Sequence, residues 1–152
     1  MPDAERLLQG LALETWVWVM DGSGVGRGCC ALMLHVVYHA RALPLAWVVR
    51  QFPKSHAPEA LPIELVELVS ELIAEGTKVV FLGDGEFDGI DLQDTMNDLG
   101  WFYACRTAKS TVATWADVTL NLDLLGDRIK AGHLIELKEV QFTRDAYGPV
   151  MV

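Results

Sequence analysis

Val79-Val80-Phe81-Leu82 is an unbroken apolar run that halts at Gly83-Asp84-Gly85. Such a run, rich in β-branched and aromatic residues, forms a short strand buried on both faces, as inside a parallel or mixed sheet. The glycines end it and leave a carboxylate where the buried strand reaches solvent. In open α/β sheets, ligands and chemistry gather at that end. Trp16-Val17-Trp18-Val19-Met20 has the same design and stops at Asp21-Gly22-Ser23-Gly24. Acids also cap helices and shape turns, but two buried strands each closed by Asp-Gly mark a candidate constellation.

The remaining elements fall around these two strands. Residues 1–14 read as a helix tail with Leu7, Leu8, Leu11 and Leu13 on its apolar side. After Gly26-Arg27-Gly28 come two further β-prone runs, Cys29 to Tyr38 and Leu43 to Val49, separated only by His39-Ala40-Arg41-Ala42. A hairpin fits that gap, so the first three strands are expected to be antiparallel neighbours. A loop with two prolines over 51–58 precedes a helix expected from Pro62 to Glu75 and closed by Gly76. Glu64, Glu67, Glu71 and Glu75 make one solvated stripe on it, and the leucines pack on a sheet. A second helix is expected over Gly89 to Leu99, with Asp88 as N-cap and Asp91 in a capping-box position. Trp101 to Cys105 is the fifth strand. Beyond Thr114, Val118–Leu122, Leu134–Leu137 and Val140–Phe142 alternate with polar residues as half-exposed antiparallel strands do.

Composition sets outer limits. The 152 residues are 51% hydrophobic and 22% charged, which suits one domain with a core, or one domain plus part of another, and disfavours disorder. No apolar run has the roughly 18–20 residues a bilayer requires, and Met1-Pro-Asp-Ala-Glu-Arg6 lacks the pattern of a secretory signal. Cys29, Cys30 and Cys105 are odd in number and lie in strand-like runs, which fits buried thiols and a cytoplasmic location. The net charge of −9 disfavours a broad basic face, so any contact with DNA rests on local cations or on metal ions.

The order strand, strand, strand, helix, strand, helix, strand is that of a ribonuclease H-like α/β core: strands 1–3 antiparallel, strands 4–5 parallel, helices flanking. In that core the first and fourth strands are adjacent, so Asp21 and Asp84 converge. Two neighbouring carboxylates repel and recruit a cation. Hard oxygen donors favour Mg²⁺ or Mn²⁺, and a metal pair of that kind serves phosphodiester chemistry.

Asp21-Gly-Ser with Gly26-Arg-Gly, the run Arg41-Ala-Leu-Pro-Leu-Ala-Trp47, and Val80-Phe-Leu-Gly-Asp-Gly-Glu-Phe-Asp88 resemble the DDE transposases of bacterial insertion sequences, the group named for insertion sequence four best of all. The resemblance runs from about Trp16 to Trp115. It implies metal-dependent strand cleavage and joining to target DNA, with Asp21 and Asp84 as the first two catalytic acids and metal ligands. It implies transposon ends and target DNA as partners, with a second copy or a full-length transposase. Arg106 and Lys109 stand where the family brings an Arg and a Lys to DNA, and Arg27 is a further candidate phosphate contact. Members often carry Asp-Arg-Glu-Phe at the second acid; here Gly85 replaces the arginine. The division expected is a partial catalytic core over 1–114 and the start of a β-rich insertion over 115–152. The Tyr–Arg–Glu signature bearing the third acid is not found in 116–152, so the chain is expected to be a fragment, inactive alone.

Other residues have plainer readings. Glu86 and Asp88 lie near Asp84 but suit a turn and a helix cap. His35 and His39 share a strand face without the further ligands zinc requires. The glycines at 22, 24, 26 and 28 lead into a strand, unlike a phosphate loop. The tryptophans suit core packing more than base stacking. Two rival functions remain: an actin-like ATP-binding phosphotransfer domain, which needs a duplicated second domain, and a non-catalytic remnant that binds DNA or interferes with transposase assembly.

Overall fold

The computed structural model describes residues 2–11, 13–52 and 57–152. The chain divides into two compact units, Met1–Arg106 and Thr107–Val152. Part of the proline loop read at 51–58 lies outside the described residues.

The first unit contains α1 (Pro2–Gly10), β1 (Thr15–Gly26), β2 (Cys29–Tyr38), β3 (Arg41–Gln51), α2 (Ala60–Ser70), β4 (Lys78–Gly83), α3 (Ile90–Asp98) and β5 (Phe102–Cys105). Its five strands form one sheet in the order β3-β2-β1-β4-β5. The pairs β1–β2 and β2–β3 are antiparallel, and β1–β4 and β4–β5 are parallel. This mixed sheet with flanking helices is compatible with the ribonuclease H-like arrangement expected from the element order.

Strand alternation explains the layering. Trp18, Met20, Leu32, Leu34, Val36, Val79 and Phe81 point to one face and are buried with Leu65, Val66 and Val69 of α2 and Leu92 and Met96 of α3. Trp18 is fully buried, its ring 5.1 Å from that of Trp101. Alternate residues form the opposite face. There Asp21 pairs with Met33, and Met33 with Trp47, which stays 63% exposed.

The antiparallel arm is longer than the sequence implied. Strand β1 does not end at Met20: Asp21 to Gly24 remain paired to β2, while the ladder to β4 stops at Val19↔Leu82. The β2–β3 connection is also tighter than expected. Tyr38 pairs with Arg41, leaving His39 and Ala40 as a two-residue turn with φ of 45° and 60°, the left-handed values of a type I′ hairpin.

Helix boundaries shift for identifiable reasons. Helix α2 ends at Ser70, five residues before Glu75, because Ser70 Oγ donates to the Glu67 carbonyl (2.7 Å) and the next amides form shorter-range bonds, Leu72 to Val69 and Ile73 to Ser70. Helix α3 has Gly89, not Asp88, as its N-cap. The amide of Leu92 is instead satisfied by the distant Glu59 carboxylate.

The second unit holds β6 (Val112–Trp115), β7 (Val118–Asn121), the short helix α4 (Leu122–Gly126), β8 (Val140–Phe142) and β9 (Tyr147–Val150). Its sheet has the order β7-β6-β8-β9, antiparallel throughout. Trp115, Leu120, Leu125, Leu137 and Val140 border an apolar hollow of about 220 Å³. Leu134–Leu137 is not the strand its alternation suggested. Leu134 is 89% exposed, so no buried face rewards that alternation, and Leu137 forms just one reciprocal backbone pair with Val152 (2.7 and 2.9 Å). Helix α4 was not expected from the residue pattern.

Candidate active site

The central strand β1 carries Asp21 just past the point where its parallel partner ends. Paired residues of β1 and β4 differ by 63 positions, from Thr15↔Lys78 (78 − 15) to Val19↔Leu82 (82 − 19). Continued by two residues, the same offset joins Asp21 to Asp84 (84 − 21). The β1–β4 ladder ends at Val19↔Leu82 and β4 at Gly83, so each exposed acid lies two residues past the last pair, Asp84 already in the turn that follows.

Each carboxylate is held locally. Ser23 Oγ donates to Asp21 Oδ2 at 3.2 Å, a contact open to residues two apart on one side of a strand. Asp84 Oδ1 accepts the Glu86 amide at 2.9 Å, and the Asp84 carbonyl accepts the Phe87 amide at 3.1 Å. Together they form a side-chain-closed turn of the kind Asp favours. Phe87 anchors it, 1% exposed. Gly83 permits it: a Cβ at that position would lie 2.8 Å from Phe87 Cβ and 3.2 Å from Cys105 Sγ. The turn also returns Glu86 to the first strand, with its Oε2 3.3 Å from where a Gly22 Cβ would stand. The sequence pointed to turn chemistry for Glu86 but did not show this approach to β1.

The Cys105 thiol borders the same turn and donates to the Phe87 carbonyl (3.2 Å). Burial pushes its pKa up to about 11, aided by the charges of Asp88 and Asp84 and opposed by hydrogen bonding from the Gly83 backbone.

The candidate cations are spread out. The Arg106 amide donates to the Gly83 carbonyl (3.0 Å), so Arg106 emerges directly beside the Asp84 turn. Arg27 occupies the β1–β2 turn with φ 53°. It lies beyond Gly26, about 17 Å along the strand from Asp21 at ~3.4 Å per residue. Lys109 belongs to the second unit, where its carbonyl accepts the Asp123 amide (2.8 Å).

Asp21, Asp84 and Glu86 offer hard oxygen donors of the kind Mg²⁺ and Mn²⁺ select. The donor chemistry fits such an ion, though among the described residues no group of three His, Cys, Asp or Glu side chains is gathered closely enough to hold a metal.

The model of the transposase DDE domain family matches residues 12–146. The chain belongs to that family. The match takes in both strand-end acids of this DDE transposase domain, as well as most of its second unit. Of the readings the sequence left open, it favours the transposase over the ATP-binding phosphotransferase. No curated protein sequence matches the chain. Among solved structures, the Aquifex aeolicus PPX-GPPA enzyme is similar at 11% identity over 62% of this chain and 36% of that one, with a TM-score of 0.29. So slight a likeness bears on neither fold nor function. No helix among the described residues is long and apolar enough to cross a membrane.

Proposed function

We propose that this chain is the catalytic core of an insertion-sequence transposase of the group named for insertion sequence four. In this reading residues 1–114 form a ribonuclease H-like core and 115–152 belong to a β-rich insertion. It acts in the cytoplasm on transposon ends and target DNA, together with a second copy or a full-length transposase. The observation that carries the reading is that Asp21 and Asp84 each follow the last β1–β4 pair, Val19↔Leu82, by two residues, inside a chain that belongs to the DDE family.

Asp21 and Asp84 hold Mg²⁺ or Mn²⁺, which supplies positive charge for the attacking and departing oxygens of a phosphodiester. The chain's own residues position the reaction. Ser23 orients the Asp21 carboxylate, and the Asp84 turn is fixed between Gly83 and the buried Phe87. Arg106, whose amide donates to the Gly83 carbonyl, meets the phosphate that two carboxylates alone would repel.

Alone, the chain is expected to cleave and join DNA poorly. Glu136 and Glu139 lie in non-helical backbone and do not supply the helix-borne third acid of the family signature. Misplacement of a reacting group by about 1 Å can by itself cost about 10²-fold.

Duplex binding in Ca²⁺, which occupies such sites without supporting cleavage, tests the reading. Ca²⁺ should strengthen binding to labelled duplex DNA, and the pair Asp21→Asn with Asp84→Asn should remove that dependence. Ca²⁺-independent binding by the unaltered protein would contradict it.

A further inference from the structure

We infer that Glu59 is a positioning residue that sets the loop carrying Asp84, an inference that rests on the reading of Asp84 as a metal ligand. Glu59 occupies the N-cap of α2, yet its side chain makes no capping bond to its own helix. It reaches across to α3, where Oε1 accepts the Leu92 amide at 3.1 Å. The N-cap of α3 is Gly89, which has no side chain to offer. A carboxylate from α2 therefore satisfies a free donor at the N-terminus of α3, where negative charge is also favoured by the helix dipole.

Gly89 shows how closely this contact is built. Its φ of −65° and ψ of 147° are open to any residue, so backbone conformation does not call for glycine there. Space does: a Cβ on residue 89 would run into the Glu59 carboxylate.

The clamp connects to Asp84 through consecutive bonds. Gln93, 7% exposed, donates from Nε2 to the Asp88 carbonyl at 2.7 Å. Phe87 is buried and donates its amide to the Asp84 carbonyl, while the Glu86 amide holds Asp84 Oδ1. One end of the loop is fixed by β4 in the sheet, and the other by the start of α3. Glu59 fixes that second end.

Amide hydrogen exchange and Mn²⁺ binding on the 152-residue chain test the inference. Glu59→Ala should speed exchange about tenfold at Leu92, and also at Glu86 and Phe87, while core amides of β1 and β2 keep their protection. Mn²⁺ affinity should fall about tenfold or more, as when a supporting residue behind a ligand is lost. Glu59→Gln, which keeps an accepting oxygen, should restore most of both. Gly89→Ala should reproduce the loss by displacing the carboxylate, and should add nothing once Glu59 is alanine, because the colliding group is gone. Faster exchange confined to Leu92, or additive losses in the double variant, would overturn the role of Glu59. Failure of the metal reading shows separately, as Mn²⁺ binding by the unaltered protein that Asp84→Ala leaves intact; the exchange at Glu86 and Phe87 still decides for or against Glu59.

Discussion

Asp21 and Asp84 are separated by the same 63 positions as every paired residue of β1 and β4. Each acid lies two residues past the last pair of that ladder, Val19↔Leu82, and the Asp84 turn packs closely over Gly83. The turn has little room to move.

Gly83→Ala should destabilise the protein by about 1–3 kcal/mol, the usual cost of forcing a group into a filled site. The new methyl would meet Phe87 Cβ at 2.8 Å and Phe81 Cε1 at 3.1 Å. Phe87 Cβ sits next to the backbone and cannot swing aside as a side-chain tip could. Urea unfolding measures the loss, and an unchanged midpoint would show that the turn gives way freely.

The β2–β3 turn offers a change of opposite sign. Ala40 holds φ 60°, where an L side chain is strained and glycine is not. Ala40→Gly should raise stability by up to about 1 kcal/mol, seen as a higher urea midpoint with an unchanged slope.

That turn also shows what the sequence could carry. Cys29–Tyr38 read as a β-prone run and is β2 to the residue, since apolar β-branched segments declare themselves. His39-Ala40 carries no Asn-Gly or Asp-Gly signal, so only the register of Tyr38 with Arg41 reveals a two-residue turn. The adjacency of β1 and β4 was legible because element order placed those strands side by side. The Glu59 clamp was not, because it joins residues 33 positions apart through one side chain. The alternation of Leu134–Leu137 misled for a related reason: periodicity forms a strand only where a partner buries one face.

Cys105 makes stability depend on pH at the alkaline end. Its thiol titrates near 11 in the folded protein, above its ordinary value of 9.0, because burial and then the Asp88 charge oppose the thiolate. The unfolded chain releases this proton first as pH rises. The contribution is thus full below about pH 9 and is lost between about pH 9 and 11. Cys105→Ser should flatten this part of a stability–pH curve measured without metal.

Binding to DNA should be weak and salt-dependent. With a net charge of −9 and few candidate phosphate contacts, non-specific affinity is expected in or below the range of about 10⁻⁴–10⁻⁶ M. Changing Arg106 and Lys109 together to alanine should remove most of it and reduce the salt slope by about two. Titrations at two salt concentrations decide; tight, salt-insensitive binding by the double variant would place the DNA surface elsewhere.

The central claim is that Asp21 and Asp84 share a divalent cation, and Mn²⁺ titration followed by electron paramagnetic resonance tests it most directly. The unaltered protein should bind Mn²⁺ in competition with Mg²⁺, and at one hundred times the dissociation constant should gain about 2.7 kcal/mol of stability. Asp21→Asn and Asp84→Asn should each abolish both the binding and the gain, since neither acid suffices alone. Binding that survives either substitution would mean that the two carboxylates do not form one site.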